Sequence, residues 1–401
     1  MIRTRTILEV HALQTVPPSC LNRDATGSPK SATYGGVPRA RVSSQAWKRA
    51  TRRGFHELLD PSELGVRTRR VAELLAERIT RLDGSIEQAQ AWALAAEAIQ
   101  TATGSKIEPP KRKADTSKDK QGPTPAPESK YLMFLSAHQL DGLAELAVKA
   151  HGAGKDFFKD KATKDLAKQL ANSRHSVDIA LFGRMVADGA DINVDAAAQV
   201  AHAISVHRAE NEADYYTAVD DYKTRETDDL GAGMIGTVEF NSATLYRYAA
   251  VDIDLLSRNL GKGLREEEPL TEPVRRAAEA FVECFLTSLP TGKINTFGNH
   301  TLPEAVVVKL RSTRPINFVG AFEEPCRTDP QVGGYMREAC ERLADYLPDM
   351  EQTYGVSLDT PCWIMRVGKN TQALAGFGTE LPLPELVTTI GAEIARRQDG
   401  A

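Results

Sequence analysis

The sequence predicts an α+β fold in which one ferredoxin-like sheet carries two inserted lobes. Three observations support this prediction. Segments of strand and helix pattern alternate along the chain, a long stretch rich in Ala, Leu, Glu and Arg follows the first helix, and residues 211–240 hold acids and glycines with few regular apolar positions. The 401 residues are 41% hydrophobic and 26% charged, which is typical of a globular protein with a large core.

The first third of the chain predicts a strand, a long loop and a series of helices. Residues 5–13 alternate in part and predict a strand that Pro17 and Pro18 end. Residues 19–42 predict an ordered loop or hairpin, after which Ser43 or Ser44 caps a helix to about Leu59. Helices are expected over 60–102 and 131–170, on either side of a low-complexity segment, 103–130, which has seven Lys/Arg against four acids and is expected to be mobile.

From residue 176 onward, strand and helix patterns alternate. Val177, Ile179 and Leu181 alternate with polar or small residues and indicate a strand. Further strands are predicted at 244–254, 306–310 and 362–367, and helices at 194–207, 272–289, 329–354 and 384–397.

Cysteine usage and the apolar pattern indicate a cytoplasmic protein. The number of cysteines is odd and none form a CxxC pair, which argues against a disulfide framework and a structural zinc site. No apolar run approaches the roughly 20 residues of a membrane helix, and the N-terminus has no apolar signal core. The cysteines are Cys20, Cys284, Cys326, Cys340 and Cys362.

The charge of the chain is distributed unevenly. Residues 1–56 carry ten Lys/Arg and two acids, a net charge of +8, although the whole chain has a net charge of −4. The remaining residues therefore carry −12. A basic N-terminal segment on an acidic body predicts a polyanionic partner at one surface, although a solvated basic face is the alternative.

The predicted helix after Ser44 is the most basic element. Lys48 and Arg52 are four residues apart, as are Arg49 and Arg53, so each pair shares a helix face. Another stripe, made by Trp47, Ala50 and Leu58, is suited to packing against a sheet. Together with the Ser, Asn and Arg residues of the preceding loop, this pattern favours contact with the sugar-phosphate backbone of a nucleic acid over reading of its bases.

Eight short segments carry a resemblance to a known family. They are Pro18–Asp24 (PSCLNRD), Tyr34–Gly36 (YGG), Arg41–Arg49 (RVSSQAWKR), Val177–Met185 (VDIALFGRM), Ala201–Ile204 (AHAI), Tyr216–Asp221 (YTAVDD), Ile235–Phe240 (IGTVEF) and Leu245–Ala249 (LYRYA). In this order they resemble the CasC family of the RAMP superfamily, the crRNA-binding backbone subunit of the type I-E CRISPR complex Cascade. The matches are spread over roughly the first two-thirds of the chain and are specific only as a set.

The resemblance implies a hand-shaped protein with an RRM-like palm, inserted helical fingers and a β-hairpin thumb. On this basis the palm comprises residues 1–59, 171–210 and 241–401, the fingers 60–170, and the thumb 211–240. Copies would stack head to tail along one crRNA, and a head-to-tail contact of this kind builds a helical filament. The implied partners are crRNA, other copies of the chain, the large, small, guide-processing and capping subunits of Cascade, and target double-stranded DNA. The resemblance implies neither a cofactor nor catalysis.

The resemblance also assigns residues to the RNA. Expected backbone contacts carried over from the family are Asn22, Arg23, Lys30, Ser43, Gln45, Lys48 and Arg49. The predicted RNA-contact set further includes Ser19, Arg39, Arg41, Arg52 and Arg184. Met185 and Met234 are candidate apolar wedges against bases, with ordinary core packing as the alternative for Met185.

A lysine-rich helix in the predicted fingers is a candidate contact for target DNA. Its candidate residues are Lys155, Lys159, Lys161 and Lys164. Aspartates are interleaved with these lysines, so an exposed face of ion pairs is the alternative.

Two other functions compete with a crRNA-binding subunit. One is a metal-dependent RNase of the same superfamily, for which Asp24 in the basic loop is the candidate, together with Asp220, Asp221, Asp228 and Asp229, although these have no recognised metal spacing. The other is an unrelated nucleic-acid-binding regulator, which the lack of a helix-turn-helix pattern around Lys48 disfavours.

Overall fold

The computed structural model has an α+β architecture with one large mixed sheet and helices on several sides. The described residues are 5–109, 126–154, 156–186, 192–218, 234–261, 268–328, 331, 333–356 and 360–399. The strands are β1 (Ile7–Ser19), β2 (Ser31–Tyr34), β3 (Val37–Val42), β4 (Gly65–Thr68), β5 (Ile107–Glu108), β6 (Glu128–Ser129), β7 (Met133–Ser136), β8 (Ala198–Val200), β9 (Ala203–Ser205), β10 (Glu212–Ala218), β11 (Met234–Asp252), β12 (Ala305–Arg311), β13 (Cys362–Arg366) and β14 (Thr379–Glu380). The helices are α1 (Ser44–Leu58), α2 (Val71–Leu82), α3 (Gln88–Thr103), α4 (Ala137–Ala153), α5 (Lys161–Ala171), α6 (Val177–Phe182), α7 (Ile253–Leu260), α8 (Thr271–Thr287), α9 (Ile294–Phe297), α10 (Met336–Thr353) and α11 (Leu383–Asp399).

The chain divides into two compact units. The sheet unit comprises residues 1–55, 199–252 and 278–397, and the helical unit comprises 56–198, 253–277 and 398–401. The limits of palm, fingers and thumb drawn from the sequence stay predictions. Within the described part of the chain, no helix is both long enough and apolar enough to cross a bilayer.

The sheet unit is built around β1. Its order is β14-β13-β12-β1-β11-β9-β3-β2, with β10 paired to the outer part of β11. β1 is antiparallel to β11, where Ile7 faces Asp252, and to β12, where Ile7 faces Arg311. A strand with neighbours on both sides and helices over its faces is expected to be buried throughout, and β1 is buried from Ile7 to Gln14.

Most elements predicted in the sheet unit are confirmed. They are the first strand, the 19–42 hairpin, α1, α8, α10, α11 and the strands β11, β12 and β13. The predicted end of β1 at Pro17 and Pro18 is wrong, because the strand continues to Ser19. The pairing with β11 becomes irregular between Val16 and Ser19, and proline, which lacks an N–H, is tolerated where the ladder is interrupted.

Two predicted elements are of the wrong type. Residues 177–182 form α6 and not a strand, because a short apolar run fits both periods and Gly183, with φ +76°, ends the helix. The predicted helix 194–207 is instead β8 and β9. The alanine-rich composition of this segment favours a helix, but β9 pairs with β3 and β11, and this tertiary pairing overrides the propensity.

The helical unit also contains strands that were not predicted. β4 pairs with β7, and β5 pairs with β6 at the two ends of the low-complexity segment. Helices α2, α3, α4 and α5 surround a core of buried leucine, isoleucine and alanine side chains. Residues 110–125 of the segment predicted to be mobile lie outside the described residues.

The cysteines are free thiols. Cys362 is half-buried and the other four are buried. Burial raises the pKa of the Cys326 and Cys340 thiols to about 12, so both stay protonated and behave as small apolar groups.

The two-residue turn between β2 and β3 contains a glycine that cannot be replaced. Gly35 and Gly36 have φ +58° and +76°, as a tight hairpin turn requires. A Cβ on Gly35 would lie 1.7 Å from the Glu323 carbonyl oxygen, whereas one on Gly36 would meet nothing within 4 Å.

We therefore expect Gly35→Ala to lower the free energy of unfolding by about 3 kcal/mol or more, because the backbone must shift. Gly36→Ala, the matched control, should cost about 1 kcal/mol for the positive φ alone. Urea unfolding of the two variants checks this, and equal losses would contradict it.

Candidate nucleic-acid interface

Asn22 joins the basic loop to the start of α1. Its side-chain Oδ1 accepts a hydrogen bond from the Ser43 N–H at 2.9 Å, and its carbonyl accepts one from the Lys30 N–H at 2.9 Å. The Lys30 carbonyl in turn accepts from the Arg41 N–H at 2.9 Å. The loop, the end of β3 and the N-terminus of α1 therefore meet at one place.

Helix α1 has one buried face and one cationic face. Trp47, Thr51 and Phe55 are buried, whereas Ala50 is half-buried and Leu58 is exposed, so only Trp47 of the predicted packing stripe is in the core. Ser43 caps the helix, since its Oγ accepts from the Ala46 N–H at 3.3 Å, as predicted.

The polar side chains of α1 follow the helical period. Gln45, Arg49 and Arg53 are exposed at intervals of four residues, and Lys48 and Arg52 are half-buried beside them. Burial lowers the pKa of the Lys48 ammonium. The two arginines at 49 and 53 are thus the most accessible cations of this helix.

A buried arginine, Arg247, packs against the buried face of α1. The Arg247 guanidinium lies 3.8 Å from the ring centroid of Trp47 and 4.6 Å from that of Phe285, and its Nη1 donates to Gln14 Oε1 at 2.7 Å. Burial lowers the pKa of Arg247 to about 9. Sequence reasoning missed this role, although Arg247 lies in the Leu245–Ala249 segment of the family resemblance.

Three residues of the predicted RNA-contact set, Ser19, Arg39 and Ser43, have buried side chains in the sheet unit. Arg39 is fully buried, and its guanidinium donates to the carbonyls of Tyr34, Ser205, Phe322 and Glu323 at 2.9–3.1 Å. It ties the β2–β3 hairpin to the segment after β12. The Ser19 and Ser43 side chains are also buried. The burial of these three side chains indicates a structural role, and their contact with RNA stays a prediction.

Arg184 and Met185 are neighbours in the helical unit, but Arg184 is buried and Met185 is exposed. Arg184 is buried and donates to the carbonyls of Ile192 and Ala171 at 2.7 and 3.0 Å, so its side chain supports the helical unit, and its contact with RNA stays a prediction. Burial lowers its pKa to about 10. Met185, in contrast, is 86% exposed, which removes core packing as its explanation.

Hydrogen bonds hold the described backbone on both sides of Met185. Arg184 and Val194 exchange two backbone hydrogen bonds at 3.0 and 2.9 Å, and the Val186 N–H donates to Asn193 Oδ1 at 2.7 Å. A Cβ on Gly183 would lie 2.8 Å from the Val194 carbonyl oxygen. Met185 is an exposed apolar side chain between two buried residues, Arg184 and Val186. Such a side chain is suited to contact with a ligand. The other candidate wedge, Met234, begins β11, and its side chain lies outside the described part.

The finger lysines line a groove of about 630 Å³ between α3 and α5. Lys159, Lys161, Lys164 and Lys168 are exposed there, and Lys168 belongs to the same lysine-rich segment of the sequence. Lys159 also forms an ion pair with Asp156 at 2.7 Å, so the predicted ion-pair alternative applies to this residue. Lys155 lies outside the described residues.

The hairpin of β10 and β11 carries aromatic residues that sequence reasoning did not select. Tyr215 is 62% and Tyr216 40% exposed. Tyr216 pairs with Gly236, and its ring lies where a Cβ on that glycine would be. The two adjacent tyrosines, of which Tyr216 begins the Tyr216–Asp221 segment, were the available signal, because exposed aromatic rings are platforms for unstacked bases.

Asp24, the candidate catalytic residue, closes a turn. Its Oδ1 accepts from the Thr26 N–H at 2.8 Å, the Thr26 hydroxyl at 2.7 Å and the Ser28 N–H at 3.1 Å, and these bonds to Thr26 and Ser28 lower its pKa. Among the residues that the structure describes, no three His, Cys, Asp or Glu side chains are grouped to hold a metal ion. The other candidates, Asp220, Asp221, Asp228 and Asp229, lie outside the described residues.

Comparison with known proteins gives the family. The model of the family described as CT1975-like protein matches residues 8–389. The chain belongs to the CT1975-like family. No curated protein matches this CT1975-like chain. Among solved structures, it is similar to a chain of a "CRISPR RNA-guided surveillance complex, pre-nicking", with 32% identity, TM-score 0.78, and coverage of 97% of this chain and 100% of that one. It is also similar to a chain of a "CRISPR RNA-guided surveillance complex", with 29% identity, TM-score 0.69, and coverage of 96% and 99%.

A buried histidine of the CT1975-like chain gives the helical unit a pH dependence. His175 Nδ1 accepts from Gln139 Nε2 at 3.0 Å, and burial, assisted by the Arg184 cation, lowers its pKa from 6.5 to about 4. Since the unfolded chain binds the proton more tightly, the stability from this group is complete above pH 6.5 and falls as the pH drops toward 4.

The expected loss is at most about 3 kcal/mol between pH 6.5 and 4. Urea unfolding at several pH values should show a smaller slope for His175→Asn than for the wild type over this window. Equal slopes would contradict the prediction.

Proposed function

We propose that this chain is the crRNA-binding backbone subunit of a type I-E CRISPR interference complex, in which several copies follow one crRNA. The observation that carries the proposal is the cationic surface where the basic loop meets α1. Arg23, Lys30 and Arg41 lie on its loop and strand side. Gln45, Lys48, Arg49, Arg52 and Arg53 lie on its helix side. The CT1975-like family and the two similar chains from RNA-guided complexes support the same function.

The chemistry of this surface is suited to a phosphate backbone. Arginine and lysine neutralise phosphates without reading bases, so affinity should fall steeply with salt. Base pairing with target DNA would then supply the sequence specificity, while the protein holds the shape of the guide.

The parts of a hand have counterparts in the two units. We assign the RRM-like palm to the sheet unit, the fingers to the helical unit and the thumb to the β10–β11 hairpin. Met185 and Tyr215 are then the apolar and aromatic surfaces that contact displaced bases, because both are largely exposed on ordered backbone.

Co-expression with a CRISPR array and the other subunits tests the proposal. A guide-length RNA and the large, small, guide-processing and capping subunits should co-purify with the chain. Recovery of the chain free of RNA and of the other subunits would refute it. Incubation of the complex with target RNA and Mg²⁺ tests the further proposal that the chain is not a nuclease. Regularly spaced cuts that disappear in Asp24→Asn would overturn that part.

The groove between α3 and α5 is proposed as a contact for target DNA. Lys161 and Lys164 are exposed on one face of α5. The double variant Lys161→Glu/Lys164→Glu should weaken binding of target double-stranded DNA by the guide-loaded complex about tenfold or more, because both phosphate contacts are reversed. Gel-shift titration measures this. The crRNA content of the complex should stay at the wild-type level, and its loss would contradict the assignment.

A further inference from the structure

His202 is exposed at the edge of the proposed RNA surface. It directly precedes β9, and Ser43 directly follows β3, whose Val42 pairs with Ala203 of β9. His202 and the start of α1 therefore leave the sheet at the same end. Its position in the Ala201–Ile204 segment was its only signal in the sequence.

Arg41 determines which ring nitrogen of His202 carries the proton. Its Nη1 lies 3.1 Å from His202 Nδ1, and a guanidinium can only donate, so Nδ1 accepts and the neutral ring carries its proton on Nε2. The charged groups that face the ring are Arg41 on β3 and Lys30 on the basic loop. Partial burial, followed by these two cations, lowers the pKa of His202.

An exposed imidazole beside two cations is an unfavourable site for a third positive charge until an anion arrives. A phosphate near Lys30 and Arg41 changes the sign of the local potential and favours the imidazolium. Protonation of Nδ1 then removes the acceptor that Arg41 uses, so the guanidinium is released to the phosphate. The phosphate would thus be bound by Lys30, Arg41 and the His202 imidazolium, and not by the two cations Lys30 and Arg41 alone.

We propose that His202 is a ligand of a crRNA phosphate and takes up one proton from solvent when the RNA binds. The inference rests on the proposed RNA-binding function and adds a residue and a pH dependence to it. Each proton taken up makes the RNA affinity rise as the pH falls, within the range between the pKa values of the free and RNA-bound states.

Binding of a fluorescent single-stranded RNA oligonucleotide to the full chain tests this, measured by anisotropy between pH 5.5 and 8.5 at constant ionic strength. The wild-type affinity should rise about tenfold toward pH 5.5, since a shift of one pKa unit corresponds to a factor of ten. His202→Asn should bind RNA with little pH dependence. His202→Lys should bind with wild-type strength at pH 5.5 and keep that strength at pH 8.5.

His56→Asn is the matched control, because His56 is an exposed histidine in the last turn of α1. It should keep the wild-type pH dependence. The inference is overturned if His202→Asn keeps that dependence as well, or if His56→Asn removes it. If the wild type binds no RNA at any pH, the proposed function fails first, and this result is distinct from binding with an unchanged pH profile.

Discussion

Replacement of both Arg49 and Arg53 by glutamate should remove crRNA from the purified complex. The two arginines are exposed and four residues apart on α1, so they present two cations in one direction. Each charge-assisted contact to a phosphate contributes about 1.5–3 kcal/mol, so that loss of two contacts lowers the affinity by a factor of about 100 or more. For an RNA oligonucleotide, the salt dependence of binding should also decrease by about two phosphate contacts.

The arginine pair is a clearer test than Lys48. The Lys48 side chain is half-buried, so its replacement would change both the stability of the fold and the binding of RNA. Thermal unfolding should show that the Arg49→Glu/Arg53→Glu variant keeps the wild-type stability within about 0.5 kcal/mol, as expected of exposed sites. The Lys161→Glu/Lys164→Glu variant has the same change of charge and should retain crRNA. Full crRNA content in the arginine variant would refute the assignment of α1 to the RNA.

The sequence was sufficient for elements whose burial follows a regular period over a long stretch. Helix α1 and strand β12 were predicted nearly to the residue, because each has one dominant pattern. Residues 177–182 and 198–205 were misassigned for the opposite reason. A six-residue apolar run fits strand and helix equally well, and the pairing of β9 is set by β3 and β11, which are distant in the chain.

The same limit explains why the burial of several candidate site residues was not predicted. Arginine residues were assigned to RNA by type and local density, but neither property encodes burial. Arg39 lies within the basic segment, yet it bonds to carbonyls near residue 322, more than 280 residues away in the chain. Arg247 is likewise held by Gln14, 233 residues away in the chain, and Arg184 in part by Gln139, 45 residues away. The exposed cations of α1 could be predicted because the helical period alone places them opposite Trp47.

Arg184 and Met185 are adjacent in sequence and should respond to mutation in opposite ways. Arg184→Ala removes the donor for the carbonyls of Ile192 and Ala171, and for Gln139 Oε1 and Asn172 Oδ1 at 3.1 and 3.2 Å. Unsatisfied buried acceptors and the cavity outweigh the relief of a buried charge, so the free energy of unfolding should fall by about 3 kcal/mol. Met185→Ala, at an exposed position, should leave stability within about 0.5 kcal/mol of the wild type. Urea unfolding measures both.

Arg184→Lys separates a structural role from an RNA contact. If the guanidinium were exposed and bound only phosphate, Arg184→Lys would leave the free energy of unfolding within about 0.5 kcal/mol of the wild type. Because its fork instead reaches several acceptors in the interior, one ammonium cannot replace it, and Arg184→Lys should lose nearly as much stability as Arg184→Ala. Met185→Ala should instead weaken RNA binding while the fold stays intact. Wild-type stability in Arg184→Lys would contradict the buried structural role of this arginine. The exposed position of Met185 would then have to depend on other contacts.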